Sequence, residues 1–262
     1  MSKGARRLLA LPLQGYARRA ALALCVLAGF LAPEVGLAQT LPVILKAQYA
    51  EPTTRYDHGI LGDAVEWGAL ELAVELCAGC ARSDRQNLVI RLPKTRVFED
   101  LVPRLIKDET GRVLVMVVET DLRLGARLAL YDHTGLVDAT PFIGSTHRWL
   151  APVGAADLDG DGFTEVAYVE KPHLSKELKV WRLRGGKLRF VASLGGLTNH
   201  RIGEDFISGG LRDCGGGLEI ITVNGNWSKV MATQLKNDRL NARSLAVFGR
   251  QSDLAAALSC AK

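Results

Sequence analysis

Four carboxylates alternate with small residues in the stretch DLDGDGFTE, residues 157–165. Counting Asp157 as position 1, acids stand at positions 1, 3, 5 and 9 (Asp157, Asp159, Asp161 and Glu165), and Gly162 stands at position 6. Alternate side chains of a tightly curled loop converge on one point, and a glycine at the middle permits the sharp turn. The backbone carbonyl of Phe163, at position 7, can join them, so the donors are hard oxygens in calcium-like number and spacing. Such clustered carboxylates repel one another strongly without a cation. Ca2+ is therefore the expected cofactor, with a solvated acidic turn as the plainer alternative. An EF-hand is excluded, because position 12 is Tyr168 where that motif needs a bidentate Glu, and the following VAYV reads as a strand. The ion is expected to act as a clip between two strands, stabilising the native state as a selective ligand does.

A second group of residues could receive an anion. Arg55, Arg96, Arg148 and Arg201 recur along the chain, accompanied by His58, His147 and His200. Gathered around one axis they would suit a carboxylate or phosphate, since arginine makes bidentate contacts to both. Repetition also has a purely architectural reading, in which Glu99, Asp100, Glu204 and Asp205 pair with these arginines and lock neighbouring units together. A hydrolase or lyase built from His58, Asp63, Glu66, His200, Glu204 and Asp205 is the rival class. No nucleophile elbow, zincin motif or phosphate-binding glycine loop supports it, so no catalytic residue is assigned. A binding or interaction module, for a protein or a small anionic ligand, is the preferred class. Trp67, Trp149, Trp181 and Trp227 read as packing residues, and Asn226-Trp227-Ser228 fits a glycosylation triplet.

The elements that must position these residues read as strands. RVLVMVVET (112–120), RLALYD (127–132), EVAYVEK (165–171), LKVWRL (178–183), KLRFVAS (187–193), LEIITVN (218–224) and SLAVFG (244–249) are short, apolar or alternating, and rich in β-formers. Arg184-Gly185-Gly186-Lys187 is a hairpin signal, where glycine supplies positive φ. Only SDLAAALS near the C-terminus suggests a helix. Arg-x-x-Glu-Asp-apolar occurs at Arg96 and again at Arg201, and THRW (146–149) matches NHRI (199–202). These echoes divide the chain into four units, 55–95, 96–147, 148–200 and 201–249. A period of this size points to propellers and related arrays. The expected fold is therefore all-β, a small β-propeller of about four four-stranded blades, with PVILKAQYA (42–50) closing the ring against the last blade. A β-sandwich is the alternative.

The segment WLAPVGAADLDGDGFTEVAYV resembles the FG-GAP or VCBS-type repeat, in which an apolar strand leads through D-x-D-G-D-G into a second apolar strand. That resemblance implies a β-propeller with calcium in this loop, as in integrin α subunits and many exported bacterial proteins. The family more often has Asp where Glu165 stands. Two other units keep only part of the motif: IKDETGRVL retains Asp108 and Gly111, and LRDCGGGLE retains Asp213 and Glu219.

The N-terminus reads as a secretory signal over residues 1–38: a leader with Lys3, Arg6, Arg7, Arg18 and Arg19, an apolar run from Ala20 to Leu31, and Gly36-Leu37-Ala38 before Gln39. The apolar run is short for a span, which needs about 20 residues; an uncleaved anchor is the other reading. Of the 33 basic and 28 acidic residues, five and one lie in this leader, so residues 39–262 carry 28 against 27. Nucleic acid is not expected as a partner, because it calls for a concentrated basic face. Residues 39–262 retain Cys77, Cys80, Cys214 and Cys260, an even number suited to an oxidising compartment. Three connectivities are open; the favoured one pairs Cys77 with Cys80 and Cys214 with Cys260. The expected location is periplasmic or secreted.

Overall fold

A computed structural model describes residues 42–80 and 82–261; the expected leader lies outside the described residues. The described residues are all-β apart from one short helix. β1 (Val43–Thr53), β2 (Glu66–Glu75) and β3 (Arg85–Arg91) form an antiparallel group in which β2 pairs with both neighbours. The short β4 (Arg96–Phe98) bridges this group to β6. Three antiparallel meanders follow. The first comprises β5 (Arg104–Lys107), β6 (Val113–Asp121), β7 (Gly125–Asp132) and β8 (Gly135–Ala139). The second comprises β9 (Leu150–Ala156), β10 (Thr164–Glu170), β11 (Glu177–Arg184) and β12 (Lys187–Gly195). The third comprises β14 (Gly210–Asp213), β15 (Leu218–Asn224), β16 (Lys229–Lys236) and β17 (Arg239–Val247), with the two-residue β13 (Leu197–Thr198) added beside β15.

The meanders share an internal irregularity. The register slips between the third and fourth strand of each, at Leu130/Tyr131, Val180/Trp181 and Val230/Met231. Bulges of this kind bend a strand and increase its local twist, so each meander is shaped alike.

The sequence pattern of the second strands explains how the sheets are layered. LVMVV, VAYV and IITV are continuous apolar runs rather than alternating ones, as expected of strands buried on both faces. In β6, Leu114, Met116 and Val118 face one cluster with Tyr168 and Leu183 of the next meander, while Val115 and Val117 face Leu70 and Leu72 of β2. In β10, Val166 and Tyr168 join the first of these clusters, whereas Ala167 and Val169 pack with Ile220 and Leu235 of the last meander. The last two layers approach closely: a Cβ on Gly154 of β9 would come within 2.8 Å of the Leu211 side chain.

The two outer faces are of different kinds. β2 alternates, and its outward side presents Glu71 beside Lys46, Gln48 and Asn87. The outer face of the last meander, with Ile221, Val223, Val230 and Ala232, is covered by α1 (Gln251–Leu258) through Leu254 and Ala257. The alternative reading, a β-sandwich, fits these antiparallel sheets, which do not by themselves establish the ring expected above. β1, which was to close it, pairs instead with β2, for example Tyr49 opposite Leu70. The physical reason is that a polar face has no drive to cover the apolar one, and α1 supplies that cover. The helix forms where SDLAAALS suggested it, and Asp253 at its third position accepts the Arg250 N–H at 3.1 Å. Disulfides join Cys77 to Cys80 and Cys214 to Cys260, the latter tethering the C-terminal end of α1 to the β14–β15 turn. Among the described residues, no helix is long and apolar enough to cross a membrane.

Candidate functional site

The DLDGDGFTE loop joins β9 to β10. Asp157 organises it: Oδ1 accepts the Gly160 and Asp161 N–H groups at 2.8 and 3.1 Å, and Oδ2 accepts the Gly162 N–H at 2.9 Å. Gly160 and Gly162 both adopt positive φ, +81° and +90°, which the tight curl requires. Asp157, Asp159 and Glu165 offer oxygens that lie within 4.8 Å of one another. Asp161 is not one of this group; its Oδ1 accepts the Phe163 N–H at 2.9 Å. The Phe163 ring lies under the Arg184 guanidinium, 4.7 Å away.

A positive charge not anticipated from the sequence enters this loop. Arg182, directly opposite Glu165 in the β10–β11 register, reaches Glu165 at 2.6 Å, Asp159 at 2.5 Å, Asp161 at 3.3 Å and Asp238 at 3.0 Å. Its signal was present in LKVWRL: Leu178, Val180 and Arg182 share one strand face, so an arginine in line with core residues calls for buried acids. Arg182 does not exhaust the site. One guanidinium faces four loop carboxylates, and Asp159 Oδ1 is buried without a hydrogen-bond partner. The donor set is all oxygen, and an orphaned carboxylate oxygen in a converging acidic group fits a hard divalent cation. Asp157, Asp159 and Glu165 are the residues that would hold it.

The corresponding loops of the other meanders are satisfied internally. Asp108 Oδ1 accepts from the Thr110 and Arg112 N–H groups at 2.9 and 3.0 Å. Asp213 Oδ1 accepts the Gly215 N–H at 2.8 Å. Glu219 is clamped by Arg212 at 2.7 Å and Arg243 at 2.6 Å. Burial alone would raise its carboxyl, but the two guanidinium groups outweigh that and hold it below the usual range.

The residues expected to form an axial ring separate into different places. Arg55 donates to the Arg96 carbonyl at 3.0 Å, and Arg96 pairs with Glu119 at 3.0 Å. Arg201 stacks over Trp227 at 4.1 Å. Of the acids proposed as arginine locks, Glu99 bonds His58 and Asp100 bonds Arg104, while Glu204 accepts the Arg201 N–H at 3.2 Å. His58, His147 and Arg148 do come together, lining a cleft of about 200 Å3 with Trp149, Lys171 and His173. Lys171 and His173 were not among the residues singled out in the sequence, since they lie in a connection with no repeat echo.

Hydrogen bonds fix the chemistry of this cleft. His58 Nδ1 lies 2.5 Å from Glu99 Oε1, and the fully buried Glu99 also accepts the Thr120 hydroxyl at 2.5 Å. Glu99 thus engages Nδ1 and leaves Nε2 as the remaining nitrogen, and burial raises the Glu99 carboxyl above its usual range. Glu66 is buried nearby, and its carboxyl is pushed up to about 9 by burial first and by the charge of Glu99 second. His200, expected in the ring, sits one bond behind: its Nε2 donates to the Glu204 carbonyl at 2.9 Å, so its Nδ1 accepts from His173 Nε2 at 3.0 Å. That chain leaves His173 Nδ1 as a lone pair. Burial, followed by the neighbouring His200, lowers the His173 pKa to about 4, so it is neutral.

Backbone geometry holds the cleft open. His147 and Lys171 both occupy the left-handed region, with φ of 58° and 47°. Their N–H groups are committed, His147 to the Tyr56 hydroxyl at 2.8 Å and Lys171 to the Trp149 carbonyl at 2.9 Å. The Trp149 indole donates to the Glu99 carbonyl at 2.9 Å, which fixes its ring as a wall. His147 Nε2 lies 2.9 Å from Asp57, and its ring stacks on His58 at 5.0 Å. Among the described residues, no carboxylate lies within ion-pair distance of Arg148. Compared with models of known protein families and with curated proteins, the chain matches none.

Proposed function

We propose that the chain is an exported, calcium-stabilised binding module whose cleft at His58, His147, Arg148 and His173 takes a small anionic ligand. The observation that carries this reading is Arg148, a residue lining the cleft whose guanidinium has no carboxylate partner among the described residues. A guanidinium is always charged and has a fork of donors that matches carboxylates and phosphates. Equilibrium titration of the purified protein with acetate and inorganic phosphate tests the reading, and Arg148→Gln should abolish any binding found.

Calcium has a structural part in this proposal. Asp157, Asp159 and Glu165 would hold it between β9 and β10, where it would supply the charge that Arg182 alone does not. Membership of the FG-GAP or VCBS type belongs to the same proposal and rests on that loop lying between two apolar strands. Export into an oxidising compartment is supported by the two disulfides, which persist only outside a reducing cytosol in most organisms. N-terminal sequencing of the secreted or periplasmic protein tests it, with Gln39 as the expected first residue.

A second reading, a hydrolase or lyase, is favoured by one observation. A buried carboxylate aligned on a cleft imidazole, as Glu99 is on His58, is the arrangement that orients a general base. If a bound ligand is turned over, His58→Gln should stop turnover.

A further inference from the structure

The walls and charges of the cleft narrow the class of ligand. Charge comes first. Lys171 shares Glu170 with Lys179, at 3.3 and 2.6 Å, and His147 faces Asp57 at 2.9 Å. His173 is neutral, donating one ring proton to His200 and keeping one lone pair. Among the described residues lining the cleft, Arg148 is thus the one cation without a carboxylate partner, which matches one negative charge and would be exceeded by two. Its surroundings are apolar: Ile60 and Trp149 are 4% and 2% exposed at the base, while Leu174 and Ile202 stand 58% and 73% exposed at the rim. Large aliphatic side chains held open beside a lone cation gain by being covered, since removing apolar surface from water is favourable. The volume, about 200 Å3, is below the roughly 300–1,000 Å3 of sites for drug-sized ligands.

We propose that the cleft binds a small organic monocarboxylate with an apolar body, a short acyl or aryl acid, with the carboxylate on Arg148 and the body between Trp149, Leu174 and Ile202. This rests on the reading of the cleft as an anion site and goes beyond it by naming what the anion carries. A bare inorganic anion would leave the rim uncovered, and an uncharged apolar molecule would leave Arg148 desolvated without a partner.

Isothermal titration near neutral pH with acetate, hexanoate, benzoate, inorganic phosphate and hexan-1-ol separates the parts of the proposal. Hexanoate and benzoate should bind at least about tenfold more tightly than acetate or phosphate, a conservative figure given the gain per buried methylene. Hexan-1-ol should bind no better than acetate. Arg148→Gln should remove carboxylate binding. Ile202→Ser, a neutral change at an exposed position where folding is not at stake, should weaken hexanoate by about tenfold and leave acetate unchanged. Equal affinities for acetate, phosphate and hexanoate would overturn this inference while the anion reading stands. Hexan-1-ol binding as tightly as hexanoate, in wild type and in Arg148→Gln alike, would overturn both, as would the absence of any binding at tens of millimolar.

Discussion

Two loops occupy the same place in successive meanders and solve one electrostatic problem differently. Between β9 and β10, Glu165 begins the second strand beneath three aspartates, and a single arginine, Arg182, reaches into the group. Between β14 and β15, Glu219 holds the matching place beneath a glycine-rich turn, and two arginines clamp it. The second loop is balanced by protein alone and is further tied by the Cys214–Cys260 disulfide. The first has more acids than its arginine can meet and an orphaned oxygen on Asp159. An inward glutamate at the start of a central strand thus calls for positive charge in both layers, and only the first leaves room for it to come from outside.

The largest test of this contrast removes the acid from the balanced loop. Glu219→Ala would leave the Arg212 guanidinium, 4% exposed, without its carboxylate, and urea unfolding should show a loss of about 3–5 kcal/mol. Because the Glu219 carboxyl is held below its reference value of 4.5, its contribution is present above that pH and fades as pH falls through the lower folded value. Glu219→Gln should accordingly remove part of the acid-induced loss. Next in size, replacing Cys214 and Cys260 by serine should lower stability by about 2–4 kcal/mol, while the Cys77–Cys80 pair, only three residues apart, should matter less. For the acidic loop, calcium at a hundredfold excess over its Kd should raise stability by about 2.7 kcal/mol relative to chelator, read from thermal unfolding. Asp159→Ala should erase that difference; an undiminished calcium effect in this variant would place the ion elsewhere. Smallest, Arg243→Ala should cost under about 1 kcal/mol, because Arg243 is 58% exposed and Glu219 keeps Arg212.

Much of the layering was legible in the chain. The continuous apolar runs in β6, β10 and β15 marked strands buried on both faces, and the Gly185-Gly186 turn marked the β11–β12 hairpin. β2 was not among the strands identified, nor were β3 and β16, whose RQNLVIR and KVMATQLK are diluted by polar side chains. Closure of the layers was not legible, because strand spacing is the same whether the last face meets the first unit or a helix. The acidic loop was visible through local spacing. Arg182 was overlooked although its strand parity gave it away. The cleft is a different case: His58, His147 and His173 come from three separate connections, and Lys171 and His173 have no counterpart in the repeated segments. The recurring Arg and His positions pointed to His58, His147 and Arg148, whereas nothing along the chain marked Lys171 and His173.

The helix over the last meander sets a limit on assembly. The meanders pack face to face with their sequence neighbours, as in quasi-one-dimensional arrays, where a terminal apolar face is an invitation to the next unit. Here α1 occupies that face, and the Arg212 guanidinium holds the Ala257 carbonyl at 2.6 Å beneath it. Deleting residues from Gln251 onward would bare Ile221, Val223, Val230 and Ala232, a surface that a second molecule could cover with its own copy. Growth from that end would stop at a face-to-face pair, because the opposite end, around Lys46, Gln48 and Glu71, is polar and offers nothing on which to continue a filament.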